Sequence, residues 1–158
     1  MLQRRGIIIG LGAVGLIAGA GAYLAWPRSN PFDLVTDDEF ATRRPEKTSR
    51  SIQALLRDGP QIVFHSPSQT NLNSPVNFDV EFKARNGVPP LIETLRVDYD
   101  LGITWFNVTK RLLEHAKISN GRVQAQNAQL PKGKHTLRMS IMDAQLRKSE
   151  ALVRFVVQ

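Results

Sequence analysis

The sequence predicts an all-β domain, built as a two-layer antiparallel sandwich of about seven short strands. It places an N-terminal transmembrane helix and a partly helical linker ahead of that domain. Three observations carry the prediction. Beyond residue 59 the apolar residues change from helical spacing to alternation. Turn residues recur there at intervals of about ten. Ahead of both, residues 6–26 contain no charged side chain.

That uncharged run holds Ile7, Ile8, Ile9, Leu11, Val14, Leu16, Ile17, Tyr23, Leu24 and Trp26 among small residues. At about 1.5 Å per helical residue it covers roughly the 30 Å hydrocarbon core of a bilayer. Tyr23 and Trp26 fall at the level of an interfacial aromatic belt. Arg4 and Arg5 precede the run, while Asp33, Asp37, Asp38 and Glu39 follow it. The positive-inside rule therefore keeps the N-terminus cytoplasmic in a single pass of the inner membrane and puts the domain in the periplasm.

Two other readings of the run are weaker. Gly10, Gly12 and Gly15 have the spacing of a dinucleotide-binding turn, but no second strand and helix follow to complete the unit. Gly6 with Gly10 and Gly15 with Gly19 instead make small-residue pairs suited to close contact between membrane helices. Ala20, Gly21 and Ala22 form an acceptable cleavage site, so a signal peptide removed on secretion to the periplasm is the alternative to a retained signal-anchor. Arg4-Arg5 followed by Gly6 and isoleucines also has part of a twin-arginine export pattern. Every version exports the bulk of the chain.

Residues 27–59 carry six basic and six acidic side chains and are punctuated by Pro27, Pro31 and Pro45. Thr36 and Glu39 have the spacing of a capping box, which predicts one helical turn over residues 37–43. A second short helix is expected from Thr48 or Ser49, with Ile52, Leu55 and Leu56 on one side and Gly59 as its C-terminal cap. The segment as a whole reads as a stalk holding the domain off the membrane.

Residues 60–158 form the domain. Val76 to Lys83 alternates without a break, so one face is buried and the other wet. Gly87 to Pro90 supplies a turn, and Leu95, Val97 and Tyr99 alternate with Arg96, Asp98 and Asp100. Leu137, Met139 and Ile141 repeat the pattern, and Val153, Phe155 and Val157 end the chain beside Arg154. Ile62 with Phe64, Val123 with Ala125, and residues 104–109 complete the set. Asn120-Gly121 suits a two-residue hairpin turn, since both positions tolerate positive φ. Leu112, Leu113 and Ala116 fit a helical turn as well as a strand. This arrangement is that of an immunoglobulin-like antiparallel sandwich.

The stretch from Leu130 through Pro131, Gly133 and His135 to Leu137, with its apolar alternation up to Asp143, resembles the corner and penultimate strand of bacterial immunoglobulin-like and fibronectin type III-like domains. Such membership implies a fold and leaves function open. The chain departs from those families at Asp143-Ala144-Gln145-Leu146, where an Asp-x-x-Gly turn is usual, which weakens any calcium site of the cadherin kind. The cysteine pair of antibody domains is also missing.

The absence of cysteine removes disulfides, thiolate zinc sites, iron–sulfur clusters and a cysteine nucleophile together. No nucleophile elbow, paired-histidine zinc motif or phosphate loop is present. His65, His115 and His135 are scattered. His135 reads as a corner residue bonded to nearby backbone, and His65 lies on the wet parity of its strand. A copper site from His135, Met139 and Met142 would suit an exported protein, but Met139 has core parity and Met142 the opposite. Asp79/Glu81 and Asp98/Asp100 read as solvated strand faces, and Asn107-Val108-Thr109 is a glycosylation sequon. The sequence implies no enzyme and no cofactor.

The chain of 158 residues has a net charge of +7. Within residues 60–158, thirteen Lys and Arg stand against eight Asp and Glu. An exported domain without interleaved aromatic platforms is not expected to meet nucleic acid. Its expected partners are another envelope or membrane protein and anionic lipid headgroups. The predicted function is a non-enzymatic, membrane-tethered module that binds or scaffolds such a component. Trp105, Lys110 and Arg111 are the candidate contact residues if they share one exposed end. The alternative is a small-ligand or metal carrier serving an exported enzyme.

Overall fold

Alternating side chains sort the strands into two facing sheets. The computed structural model describes residues 30–44 and 52–158. In chain order these hold β1 (Phe32–Asp33), α1 (Asp37–Ala41), β2 (Ile52–Arg57), β3 (Gln61–Ser66), β4 (Asn71–Leu72), β5 (Val76–Lys83), β6 (Pro90–Asp100), β7 (Trp105–Asn107), α2 (Thr109–Glu114), β8 (Ala116–Ser119), β9 (Arg122–Gln129), β10 (Gly133–Asp143) and β11 (Lys148–Val157).

One sheet runs β1-β9-β5-β3, with β8 also on β9; the other runs β2-β11-β10-β6-β7, with β4 also on β11. β8 and β1 share one edge of β9: β8 is antiparallel over Arg122 to Ala125, and β1 is parallel at Ala128 and Gln129. The core lies between the sheets. Val76, Phe78, Val80 and Phe82 of β5 meet Val97 and Tyr99 of β6, Leu137, Met139 and Ile141 of β10, and Val153, Phe155 and Val157 of β11. Each of these strands presents every second residue inward, as the alternation requires. All seven strands expected from the sequence are present.

Two local devices set the register. Asn120 and Gly121 both take positive φ (49° and 73°) in the β8–β9 hairpin, the turn expected there. Asn127 (φ 60°) sits in a bulge where Phe78 and Val76 oppose Ala125 and Ala128. The extra residue shifts the parity of β9, so Ala128 and Leu130 stay buried after Val123 and Ala125.

Of the two helices expected in the linker, one is present and one is not. The helix expected over residues 37–43 is α1, with the reciprocal capping box: Thr36 Oγ1 accepts from Glu39 N–H at 3.3 Å, and Glu39 Oε2 accepts from Thr36 N–H at 3.0 Å. The second expected helix is instead β2, antiparallel to β11. Leu56 pairs with Glu150 and Ala54 with Ala151, leaving Leu55 as the extra residue of a bulge. A spacing of Ile52, Leu55 and Leu56 thus serves a bulged edge strand, because β11 offers a backbone ladder that a helix would leave unpaired. Among the described residues no helix is long and apolar enough to cross a membrane. The span expected at residues 6–26 lies outside the described residues.

Residues 32–44 are fastened to the sandwich as a strap. Phe32, Leu34 and Val35 are buried in the common core. Phe32 stacks on His115 with ring centroids 4.2 Å apart. Glu39 accepts a two-point ion pair from Arg111, both contacts 2.8 Å. Phe40 stacks on His135 at 5.0 Å. Gly133 makes this approach possible, because a Cβ there would lie 2.5 Å from Phe40 Cζ.

His135 is buried between Phe40 and Phe155, whose ring centroid lies 5.5 Å away. Its Nε2–H donates to the Pro131 carbonyl at 2.8 Å, so neutral Nδ1 accepts from the Tyr99 hydroxyl at 3.0 Å. This is the corner role expected of it. Burial is the main force on its titration and lowers the pKa from 6.5 to about 4, against the Pro131 bond and with help from Arg43.

The unfolded chain therefore binds one more proton than the folded one between those two pH values. Stability from this group is complete above about pH 6.5 and is lost as pH falls toward about 4, a loss on the order of 3 kcal/mol. Melting of the full chain in uncharged detergent should show this decline, and His135→Gln should flatten it. An equal pH slope in both proteins would refute the assignment. Phe40→Ala should cost about 2 kcal/mol. It should also speed amide exchange in residues 34–44 ahead of β5 and β10, and uniform acceleration would contradict a separable strap.

Candidate functional site

The outer face of the six-stranded sheet carries charge in layers. Its floor is Asp98 of β6, whose residue is only 2% exposed although its parity points away from the core. Cross-strand pairing sets Arg138 of β10 directly opposite it, and Asn107 of β7 on its other side. The carboxylate accepts from Arg96 Nε at 2.9 and 3.0 Å, from Arg138 Nη2 at 3.0 Å and from Asn107 Nδ2 at 3.1 Å. Three donors, two of them cationic, satisfy the hydrogen-bonding capacity of this buried carboxylate.

The cations lie above that floor. The Arg96, Lys148 and Arg138 side chains are 60%, 41% and 27% exposed, against 2% for Asp98 and 13% for Glu150. Lys148 pairs with Glu150 at 3.0 Å. These residues and Ser140 line a shallow depression on the sheet. Arg138 lies over Trp105, its Cζ 4.2 Å from the ring centroid, so packing and Asp98 together hold the guanidinium. Arg96 uses only Nε on the carboxylate. Among the described residues no protein group engages its terminal nitrogens.

Asp98 and Asp100 depart from the expectation of a solvated strand face. Asp100 is 6% exposed, and its Oδ1 accepts from the Gly102 N–H at 2.7 Å. The sheet alternates as expected, but Arg96, Asn107 and Arg138 from three strands close over Asp98. On the opposite sheet the wet face is present. Arg122 grips Asp79 with two contacts of 2.6 Å and holds its carboxyl below the ordinary range, while exposed His65 bonds Glu81 at 2.9 Å.

Trp105, Lys110 and Arg111 are not gathered into one patch. Trp105 and Phe106 are adjacent on β7 and face opposite ways. Arg138 covers Trp105, while Arg111 lies over Phe106 at 5.1 Å and is committed to Glu39 and the Leu34 carbonyl. Arg111 therefore fastens the strap. Lys110 is 87% exposed and faces Glu114 at 3.8 Å.

The sequon residues also have structural work. Asn107 Oδ1 accepts from Thr109 N–H at 3.3 Å, opening α2, and Thr109 Oγ1 bridges both backbone groups of Val97. Asp143 closes the β10–β11 hairpin, accepting from the N–H groups of Gln145 and Arg147 and from the Arg147 side chain. Burial pushes its carboxyl up, and the Arg147 and backbone bonds outweigh that and hold it below its ordinary value.

A metal built on His135, Met139 and Met142 does not fit these positions. Both ring nitrogens of His135 have partners, Met139 is in the core and Met142 is on the other side of β10. Among the described residues no three His, Asp or Glu side chains converge to hold a metal. Compared with protein-family models, curated proteins and solved structures, the chain shows no match.

Removing Arg138 alone leaves a buried carboxylate short of one cationic donor. Arg138→Gln should cost about 2 to 3 kcal/mol, and adding Asp98→Asn should recover at least about 1 kcal/mol of that. Chemical denaturation of the four proteins of this cycle measures the coupling; additive losses would show that the pair is not coupled.

Proposed function

We propose that the chain is a non-enzymatic, membrane-tethered immunoglobulin-like module that binds or scaffolds another protein of the cell envelope. The observation that carries this reading is the strap. Residues 32–44 lead from the apolar N-terminal run and join the core through Phe32, Leu34 and Phe40 and the Glu39–Arg111 pair. The segment that follows the apolar run is thus part of the domain's packed surface, which supports a tethered module over a domain on a loose stalk.

Two features support the immunoglobulin-like part. The orders β3-β5-β9-β8 and β7-β6-β10-β11 correspond to the A-B-E-D and C′-C-F-G sheets of that architecture. His135, near the start of the F-equivalent strand, bonds backbone four residues upstream, where those domains use a tyrosine corner. The sequence of residues 1–26 supports an inner-membrane signal-anchor, with the domain on the periplasmic side.

The test uses the full chain with a C-terminal tag and a photo-cross-linking residue at position 105. The tag should fractionate with membranes, be digested by protease added outside spheroplasts, and join a discrete envelope protein on irradiation. Recovery in the cytoplasmic fraction, or protection from external protease, would overturn the reading. A soluble periplasmic product lacking residues 1–22 would replace the anchor by a cleaved signal.

A further inference from the structure

We propose that the outer face of the six-stranded sheet is a docking surface for an acidic polypeptide segment, whose carboxylates are received by Arg96 and Arg138. The inference rests on the binding-module reading and names its partner chemistry.

The first support is the layering of charge. An approaching molecule meets Arg96, Lys134, Arg138 and Lys148, because Asp98 and Glu150 lie underneath, 2% and 13% exposed. Outward-facing parity on β10 adds Lys134 to the row that contains Arg138. The buried acids balance the cations internally without masking them. This differs from Asp79 and Arg122 on the opposite sheet, where one carboxylate occupies both Nε and Nη2 of its arginine.

The second is preorganisation. Asp98 takes Nε of Arg96 and one terminal nitrogen of Arg138, leaving the Arg96 terminal pair and Arg138 Nη1 available. Trp105 and Asp98 fix the plane of Arg138 from two directions. Guanidinium groups already held by protein lose little freedom on binding, and their planar forks match carboxylates. The half-buried Trp105 ring beside them offers aromatic contact area of the kind found at the centre of protein interfaces.

The third concerns which anion is received. Insertion into a bilayer interface, as opposed to electrostatic adsorption on it, draws on large apolar side chains that enter the headgroup region. Among the described residues the exposed large apolar ones are Ile103, Ile118 and Leu146. Ile103 and Leu146 occupy the loops after β6 and β10, and Ile118 is on the other sheet. None belongs to this face.

The experiment titrates the full chain, in uncharged detergent, with a decapeptide of alternating Glu and Ala and with its Gln counterpart. Saturable binding of the Glu peptide, weakening as salt rises and at least tenfold tighter than the Gln peptide, is expected. Arg96→Gln should weaken it about tenfold at a temperature where circular dichroism shows the variant still fully folded. The triple variant Arg96→Gln/Asp98→Asn/Arg138→Gln, which removes the buried acid with its donors, should abolish it. Arg122→Gln on the opposite sheet should leave it unchanged.

Equal affinity for both peptides, or loss with Arg122→Gln alone, would overturn the inference. So would binding of phosphatidylglycerol vesicles through Arg96 with no binding of the Glu peptide, which would assign the face to lipid. Failure here alongside membrane fractionation, external protease sensitivity and a discrete cross-linked partner removes the acidic-segment assignment alone. Failure of those three removes the module reading itself.

Discussion

One neutral imidazole ties the structure together. His135 gives its proton to Pro131 and accepts from Tyr99, which fixes the turn into β10 and joins β10 to β6. Its two faces pack on Phe155 of β11 and Phe40 of the strap. A charged ring could not accept from Tyr99, so these contacts select one protonation state as well as one rotamer. The Tyr99 hydroxyl is correspondingly pushed up to about 12 by burial, which keeps a donor opposite Nδ1 throughout the ordinary pH range. Corner, strap and inner face of one sheet therefore share a single hydrogen-bonding solution.

The same strand that completes that network on its inner side carries the charged floor on its outer side. Within β6, Val97 and Tyr99 close the core while Asp98 and Asp100, on the opposite parity, are buried as well. A strand buried on both faces is held rigidly. Arg138 thus stands directly across from a strand whose residues 97–100 are buried on both faces.

Much of the fold could be read from local pattern. The bounds of β5 follow from unbroken alternation, and Asn120-Gly121 announces its turn because few residues tolerate two successive positive φ values. The strap was less legible. Thr36 and Glu39 mark the start of α1, but Phe32, Leu34, Val35 and Phe40 have neither a two-residue nor a helical period, and their partners Arg111, His115 and His135 lie more than 70 residues away. β2 was misread because a bulged strand reproduces helical spacing. The outer face could not be seen at all from one strand: Arg96 and Asp98 read as wet until the β6–β10 register places Arg138 across from them. His135 was legible as a corner because Gly133 and Pro131 mark the bend. Its second task, receiving Phe40, depends on a contact no short window contains.

The strap also fixes where this domain begins as a physical object. Periodicity starts near residue 61, yet a piece excised there would bare the face of His135 that Phe40 covers. It would strand Arg111 without Glu39 and strip both β1 and β2 from their sheet edges. The packed core reaches back to Phe32 of β1. The boundary is drawn by whose surfaces need covering, and the change in sequence rhythm lies some thirty residues inside it.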